Sequence, residues 1–174
     1  AAPAPAEIVP LPEKAPFGSV HVDAAGCTLC LACVSACPTG ALRDNPDRPM
    51  LTFTEEACVQ CGLCANTCPE KVITLAPRLN VAPEAAEPRL MKEEEPYPCI
   101  RCGKPFGVRS TVERVAAKLA AGHWMYQGSA NLDLIRMCED CRVIAVTEGS
   151  GIDPYAGPER PRIVTSEDYR KDGG

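Results

Sequence analysis

The stretch Cys27–Pro38, CTLCLACVSACP, and the stretch Cys58–Pro69, CVQCGLCANTCP, carry one pattern, C-x2-C-x2-C-x3-C-P. Shifting the chain by 31 positions lays Cys27 on Cys58, Cys30 on Cys61, Cys33 on Cys64 and Cys37 on Cys68, with Pro38 on Pro69. The flanks follow the same shift. Val20 falls on Leu51, Val22 on Phe53, Ala41 on Val72 and Leu42 on Ile73. A fixed-period match of this kind marks an internal repeat and decides how the rest is read. Each half reads as a short alternating strand (SVHV, then MLTF), a cysteine loop, a brief helix after the third cysteine and a return strand. RDNPDRP between the halves is a turn by composition. The expected fold class is α+β, with a pseudo-two-fold relation between the halves.

The spacing points to iron and sulfur. Three thiolates in C-x2-C-x2-C reach three corners of an iron–sulfur cube, and the fourth cysteine, ahead of Pro, turns away to ligate the other cluster. This assigns Cys27, Cys30, Cys33 and Cys68 to one 4Fe-4S cluster and Cys58, Cys61, Cys64 and Cys37 to a second. The crossing ties the two halves together. That matters in a chain of 174 residues with only 5% aromatic residues, whose apolar core must be thin. A disulfide framework would scatter its cysteines, whereas all twelve here fall in C-x2-C pairs or extensions of them. A pair of zinc sites would not call for this pattern twice in tandem. The unit holds no candidate for acid–base or nucleophilic work, so no catalytic residue is expected in it.

On these motifs, residues 18–76 resemble a bacterial-type ferredoxin with two 4Fe-4S clusters. The resemblance implies one-electron transfer at low potential, with the clusters near enough to exchange electrons directly.

Four cysteines remain. CIRCGKPF holds Cys99 and Cys102, and MCEDC holds Cys138 and Cys141. C-x2-C-G followed by an aromatic residue has the shape of a zinc-ribbon or rubredoxin knuckle, whose Gly lets backbone amides face the sulfurs. Two such pairs close a four-thiolate site. Zinc is the first expectation, a third 4Fe-4S cluster the second and a single iron the third, since all three use four thiolates. Between the pairs, STVE at 110–113 reads as a capping box. Val112, Val115, Ala116 and Leu119 then share a helix face, with Gly122 as its stop. A short second helix is expected over 131–137. His123, Trp124, Met125 and Tyr126 form the densest aromatic patch and read as packing beside the metal module, with a docking surface as the alternative; His123 is a candidate ligand, although four cysteines already suffice.

The domain plan is a Pro/Ala linker at 1–17, the dicluster unit at 18–76, a Pro/Glu/Ala-rich linker or extended strap at 77–96, the four-cysteine module at 97–147 and an extended tail at 148–174. No stretch approaches the roughly 20 apolar residues of a membrane span, and no signal peptide is visible, so the expected location is cytoplasmic. A net charge of −5 argues against a nucleic-acid partner.

Through EEEPYPCIRCGKPFGVRSTVERV and HWMYQGSANLDLIRMCEDCRV, the chain is also similar to the C-terminal region of proteobacterial ferredoxin-like proteins that accompany formate dehydrogenase. It resembles more loosely the iron–sulfur subunits of molybdenum and tungsten enzymes. These resemblances imply an electron-transfer component, itself not an enzyme, whose partners are a redox enzyme such as formate dehydrogenase and another electron carrier. The alternative is an accessory or assembly factor that docks through its four-cysteine module.

Overall fold

The computed structural model describes residues 7–126 and 131–148. They group into two compact units, one of residues 7–97 and 106–111, the other of residues 98–105, 112–126 and 131–148.

The first unit contains β1 (Ile8–Pro10), β2 (Gly18–Val22), α1 (Ala32–Ser35), β3 (Leu42–Asp44), β4 (Met50–Phe53), α2 (Leu63–Thr67), β5 (Ile73–Asn80) and β6 (Arg89–Glu93). Its pairing follows the repeat. β2, the first strand of one half, runs antiparallel to β5, the last strand of the other, with Val20 opposite Leu75 and Val22 opposite Ile73. β3 and β4 pair likewise, Leu42 opposite Phe53. The halves therefore interlock through their strands.

Alternation decides which side chains turn inward, because successive residues of a strand face opposite ways. In β4, Leu51 and Phe53 are each only 1% exposed, while Met50 and Thr52 are half-buried. The core also contains Cys33, Cys64 and Cys68 beside Val20, Leu42 and Ile73. The third cysteines lie within α1 and α2, not ahead of them.

Two stretches expected as linkers contain strands. β1, within 1–17, pairs Ile8 with Asn80, and β6, within 77–96, lies on β4 with Thr52 opposite Leu90. Between β5 and β6 a 3-10 turn, Pro83–Ala85, buries Ala85. Edge strands need only one side's backbone hydrogen bonds, and they tolerate the Pro and Glu that make such a sequence look unstructured. Residues 77–96 are thus a strap built into the first unit.

Beyond the strap lie β7 (Pro96–Pro98), β8 (Pro105–Val108), α3 (Arg109–Gly122), α4 (Leu132–Ile135) and α5 (Glu139–Thr147). β7 and β8 form a two-stranded sheet, and α4 is shorter than the helix expected at 131–137. The stop at Gly122 holds, but the buried stripe of α3 is narrower than expected: Val112 and Ala116 are buried and Val115 is 41% exposed. The capping box is overridden. Ser110 lies inside the helix, its N–H donates to Glu94 Oε2 at 3.1 Å, and its hydroxyl donates to the Thr28 carbonyl at 3.0 Å. A carboxylate from the strap so takes an amide that the helix's first turn would otherwise leave unpaired.

The aromatic patch is half-buried and packs on itself. His123 stacks on Trp124 with centroids 5.9 Å apart and meets the Tyr126 ring edge-on at 5.4 Å. His123 Nδ1 accepts the Met125 N–H. Within the expected tail of 148–174, residues 149–174 lie outside the described residues.

Candidate metal centres

Each cysteine loop is bent by left-handed residues at matching places in the repeat. Leu29 and Gln60 have φ of 50° and 51°, Leu31 and Gly62 of 58° and 76°, Gly40 and Lys71 of 65° and 57°. Left-handed backbone is unfavourable for Leu, Gln and Lys, so the loop geometry is imposed by what surrounds it. Alternating hand along Leu29–Cys30–Leu31 curls the chain so that amides line a concave face, the backbone form that receives anionic groups, including iron–sulfur centres. The Leu29 N–H already points at Cys27 Sγ, 3.5 Å away.

The cysteines gather into two sets. One cavity, about 360 Å³ and partly open to solvent, is lined by Cys27, Cys30, Cys33 and Cys68. A second, of about 330 Å³, is lined by Cys37, Cys58, Cys61 and Cys64. Each set takes three cysteines from one half and one from the other. The remaining walls are mostly apolar, with Leu29, Leu51 and Ile73 at the first and Val20, Leu42 and Phe53 at the second. In each set the middle cysteine of C-x2-C-x2-C, Cys30 or Cys61, is exposed, and the third, Cys33 or Cys64, is buried.

Burial opposes the ionisation of Cys27, Cys33 and Cys64. Burial pushes Cys33 up to about 12, helped by the neighbouring charges of Cys27, Cys30 and Cys64. Burial also raises Cys27 and Cys64, and within each cavity the crossed cysteine adds to it, Cys68 beside Cys27 and Cys37 beside Cys64. Cys37 goes the other way. Its burial is outweighed by the Leu42 amide and the Thr39 hydroxyl and amide, and the thiol is held below its ordinary range. Crowded thiols of this kind ionise together only when a cation binds them, and binding then displaces their protons. The donor set, the apolar walls and the concave amides all fit a 4Fe-4S cluster in each cavity.

Three residues outside the cysteine motifs secure the first loop. Lys92 on β6, its side chain 11% exposed, donates to the carbonyls of Ala24 and Cys27 and pairs with Glu94 at 2.7 Å. Ser110 and Thr111 both donate their hydroxyls to the Thr28 carbonyl. Carbonyls held on the outside leave amides free to face inward.

The second unit gathers the other four cysteines. The sulfurs of Cys99, Cys102, Cys138 and Cys141 all lie within 4.8 Å of one another, and Cys102 and Cys138 are 3.8 Å apart. Cys99, Cys138 and Cys141 are buried and Cys102 is exposed. The first knuckle turns through Gly103 at φ 75°, whose N–H donates to the Cys99 carbonyl at 2.9 Å. Cys138 stands at the N-terminus of α5, and its N–H donates to Cys99 Sγ at 3.3 Å. Burial opposes ionisation of Cys99, but the amides of Cys138, Cys102 and Arg101 overcome it and hold this thiol below its ordinary range. Cys141 is pushed up by burial and by the neighbouring thiols. Four sulfurs bound to one tetrahedral ion at about 2.3 Å stand about 3.8 Å apart. The observed spacing is that of four thiols able to share one metal centre. His123 is not among the clustered ligands.

Comparison with known proteins agrees with the geometry of the first unit. Residues 26–73 match the 4Fe-4S dicluster domain family. Over 40 residues the chain is 45% identical to the aliphatic sulfonate oxidoreductase, polyferredoxin-like subunit, of Pyrococcus furiosus. That match covers 23% of this chain and 23% of the relative, so the chain spans about a quarter of the relative's length. Through these residues the chain is similar to iron–sulfur ferredoxins, and the similarity supports a role in electron transfer.

Proposed function

We propose that this chain is a one-electron carrier that holds two 4Fe-4S clusters, the first on Cys27, Cys30, Cys33 and Cys68, the second on Cys37, Cys58, Cys61 and Cys64. The observation that carries the reading is the gathering of three cysteines from one half and one from the other around each of two apolar cavities. Clusters bound by thiolates alone supply reversible one-electron chemistry whose potential the surroundings set. The chain's own residues hold the loops, exclude water along the apolar walls and bring Cys30 and Cys61 to the surface where electrons are exchanged. The chain is an electron-transfer component and not itself an enzyme. Its partners are a redox enzyme, for which the sequence resemblance points to a formate dehydrogenase or another molybdenum or tungsten oxidoreductase, and a second electron carrier. Its location is the cytoplasm. No helix among the described residues is long and apolar enough to cross a membrane.

Cys99, Cys102, Cys138 and Cys141 hold one zinc ion in this reading, supported by the close spacing of their sulfurs. Zinc does not change oxidation state, so the second unit is a fixed module and not a third relay station.

A reductive titration of the anaerobically purified chain tests the carrier reading. It takes up about two electrons per chain, one for each cluster, and returns them to an added acceptor protein. A chain that is not reversibly reduced, or that returns nothing, contradicts the proposal.

A further inference from the structure

The repeat makes the two cysteine loops near-copies, and one of the wall positions at which they differ places a side-chain amide beside a ligand sulfur. Leu29 in the first loop corresponds to Gln60 in the second, and both backbones are left-handed. The side chains then diverge. Gln60 lines the second cavity. Its amide nitrogen spends one hydrogen on the Ser19 carbonyl at 2.9 Å and directs the other at Cys58 Sγ at 3.5 Å. In the first loop the matching contact to Cys27 Sγ comes from the Leu29 backbone N–H, and the leucine side chain has no hydrogen to offer.

The arrangement comes at a cost to the fold. Gln60 Oε1 is buried without a hydrogen-bond partner, and a buried acceptor left unpaired is destabilising. The amide also needs room that only glycine leaves: a Cβ at Gly18 would lie 2.7 Å from the Gln60 amide carbon and 2.8 Å from its nitrogen. A leucine at position 60, as at position 29, would remove the unpaired oxygen together with the donor to the Ser19 carbonyl.

We propose that Gln60 is a potential-setting residue of the second site, its side-chain N–H raising the reduction potential of the cluster on Cys37, Cys58, Cys61 and Cys64. This rests on the two-cluster reading above. One electron from a chemical reductant makes the thiolate-bound centre more negative, with no bond made or broken. An N–H dipole aimed at a ligand sulfur favours that more negative state, so reduction becomes easier. Gln60 acts through Cys58 and is a positioning residue, not a catalytic one.

The test is an EPR-monitored redox titration of the full chain with Gln60→Leu and Gln60→Glu. The unsubstituted chain shows two one-electron waves. In Gln60→Leu one wave moves to more negative potential and the other stays in place. Gln60→Glu keeps the shape of the side chain but replaces the donor with a carboxylate, and it moves the same wave further. A purely structural role for Gln60 would lower the unfolding midpoint of Gln60→Leu and leave both potentials where they were; that result overturns the proposal, as does an equal shift of both waves. If Gln60→Leu loses its second cluster, Gln60→Glu alone decides by whether a single wave moves. An unsubstituted chain that takes up fewer than two electrons would instead refute the two-cluster reading itself.

Discussion

Glu55 and Arg78 meet in a bidentate pair, with both nitrogen–oxygen distances 2.6 Å and the carboxylate side chain only 9% exposed. The Arg78 hydrogen bonds hold the Glu55 carboxyl below its ordinary value of 4.5, while the guanidinium is raised in return. A carboxylate depressed on folding stabilises the protein fully above its ordinary value, and the contribution fades as pH falls through the lowered one. Glu55→Gln is therefore expected to lose about 1–2 kcal/mol at neutral pH. Urea midpoints taken down the pH scale should show the gap to the unsubstituted chain closing in acid; a gap that stays constant would show that the ionised pair is not its source. A second prediction belongs to the crossed cysteines. Cys37 lies in the first motif by sequence but lines the second cavity with Cys58, Cys61 and Cys64. Cys37→Ser should weaken the cluster on those three partners and spare the one on Cys27, Cys30 and Cys33. EPR spectra showing the reverse would overturn the crossed assignment.

Among the elements, β6 does more than extend a sheet, because it carries Lys92 to the first cysteine loop. Lys92→Met leaves the Ala24 and Cys27 carbonyls without that donor and Glu94 without its ion pair, a loss of about 1–3 kcal/mol. Iron release to a chelator should then become biphasic, with the first site emptying sooner; uniform release from both sites would argue against a local clamp. This strap was the least legible part of the first unit. The strands of the two halves were readable because Val20, Val22, Leu51 and Phe53 alternate beside matched cysteines. The pairings of β1 and β6 were not, because these short edge strands, IVP and RLMKE, lie in stretches rich in Pro and Glu, and their partners lie far along the chain. STVE misled for a related reason: a local capping pattern cannot reveal that Glu94 and Thr28, both distant in sequence, take up the groups of Ser110. Spacing alone pointed to the two groups of cysteines that line the cavities, whereas Gln60 is a spacer position of its motif and Lys92 belongs to none. A comparison of the repeat position by position would have singled out Gln60 as the polar partner of Leu29.

For the whole molecule, the two compact units are expected to stand on separate metal chemistry. Besides its cysteines, the buried apolar side chains of the second unit among the described residues are Val112, Ala116, Leu134, Met137 and Ala145. A structural zinc there supplies on the order of 10 kcal/mol of folding free energy. Cys102→Ser should accordingly make the second unit sensitive to protease while the first keeps its iron; retained resistance would contradict a shared centre. Metal and acid-labile sulfide analysis of the anaerobically purified chain decides whether the twofold cysteine repeat holds two iron–sulfur clusters. About eight iron and eight sulfide atoms per chain are expected, with one zinc ion on the four clustered cysteines. Zinc in place of iron, with no sulfide, would contradict the two-cluster reading.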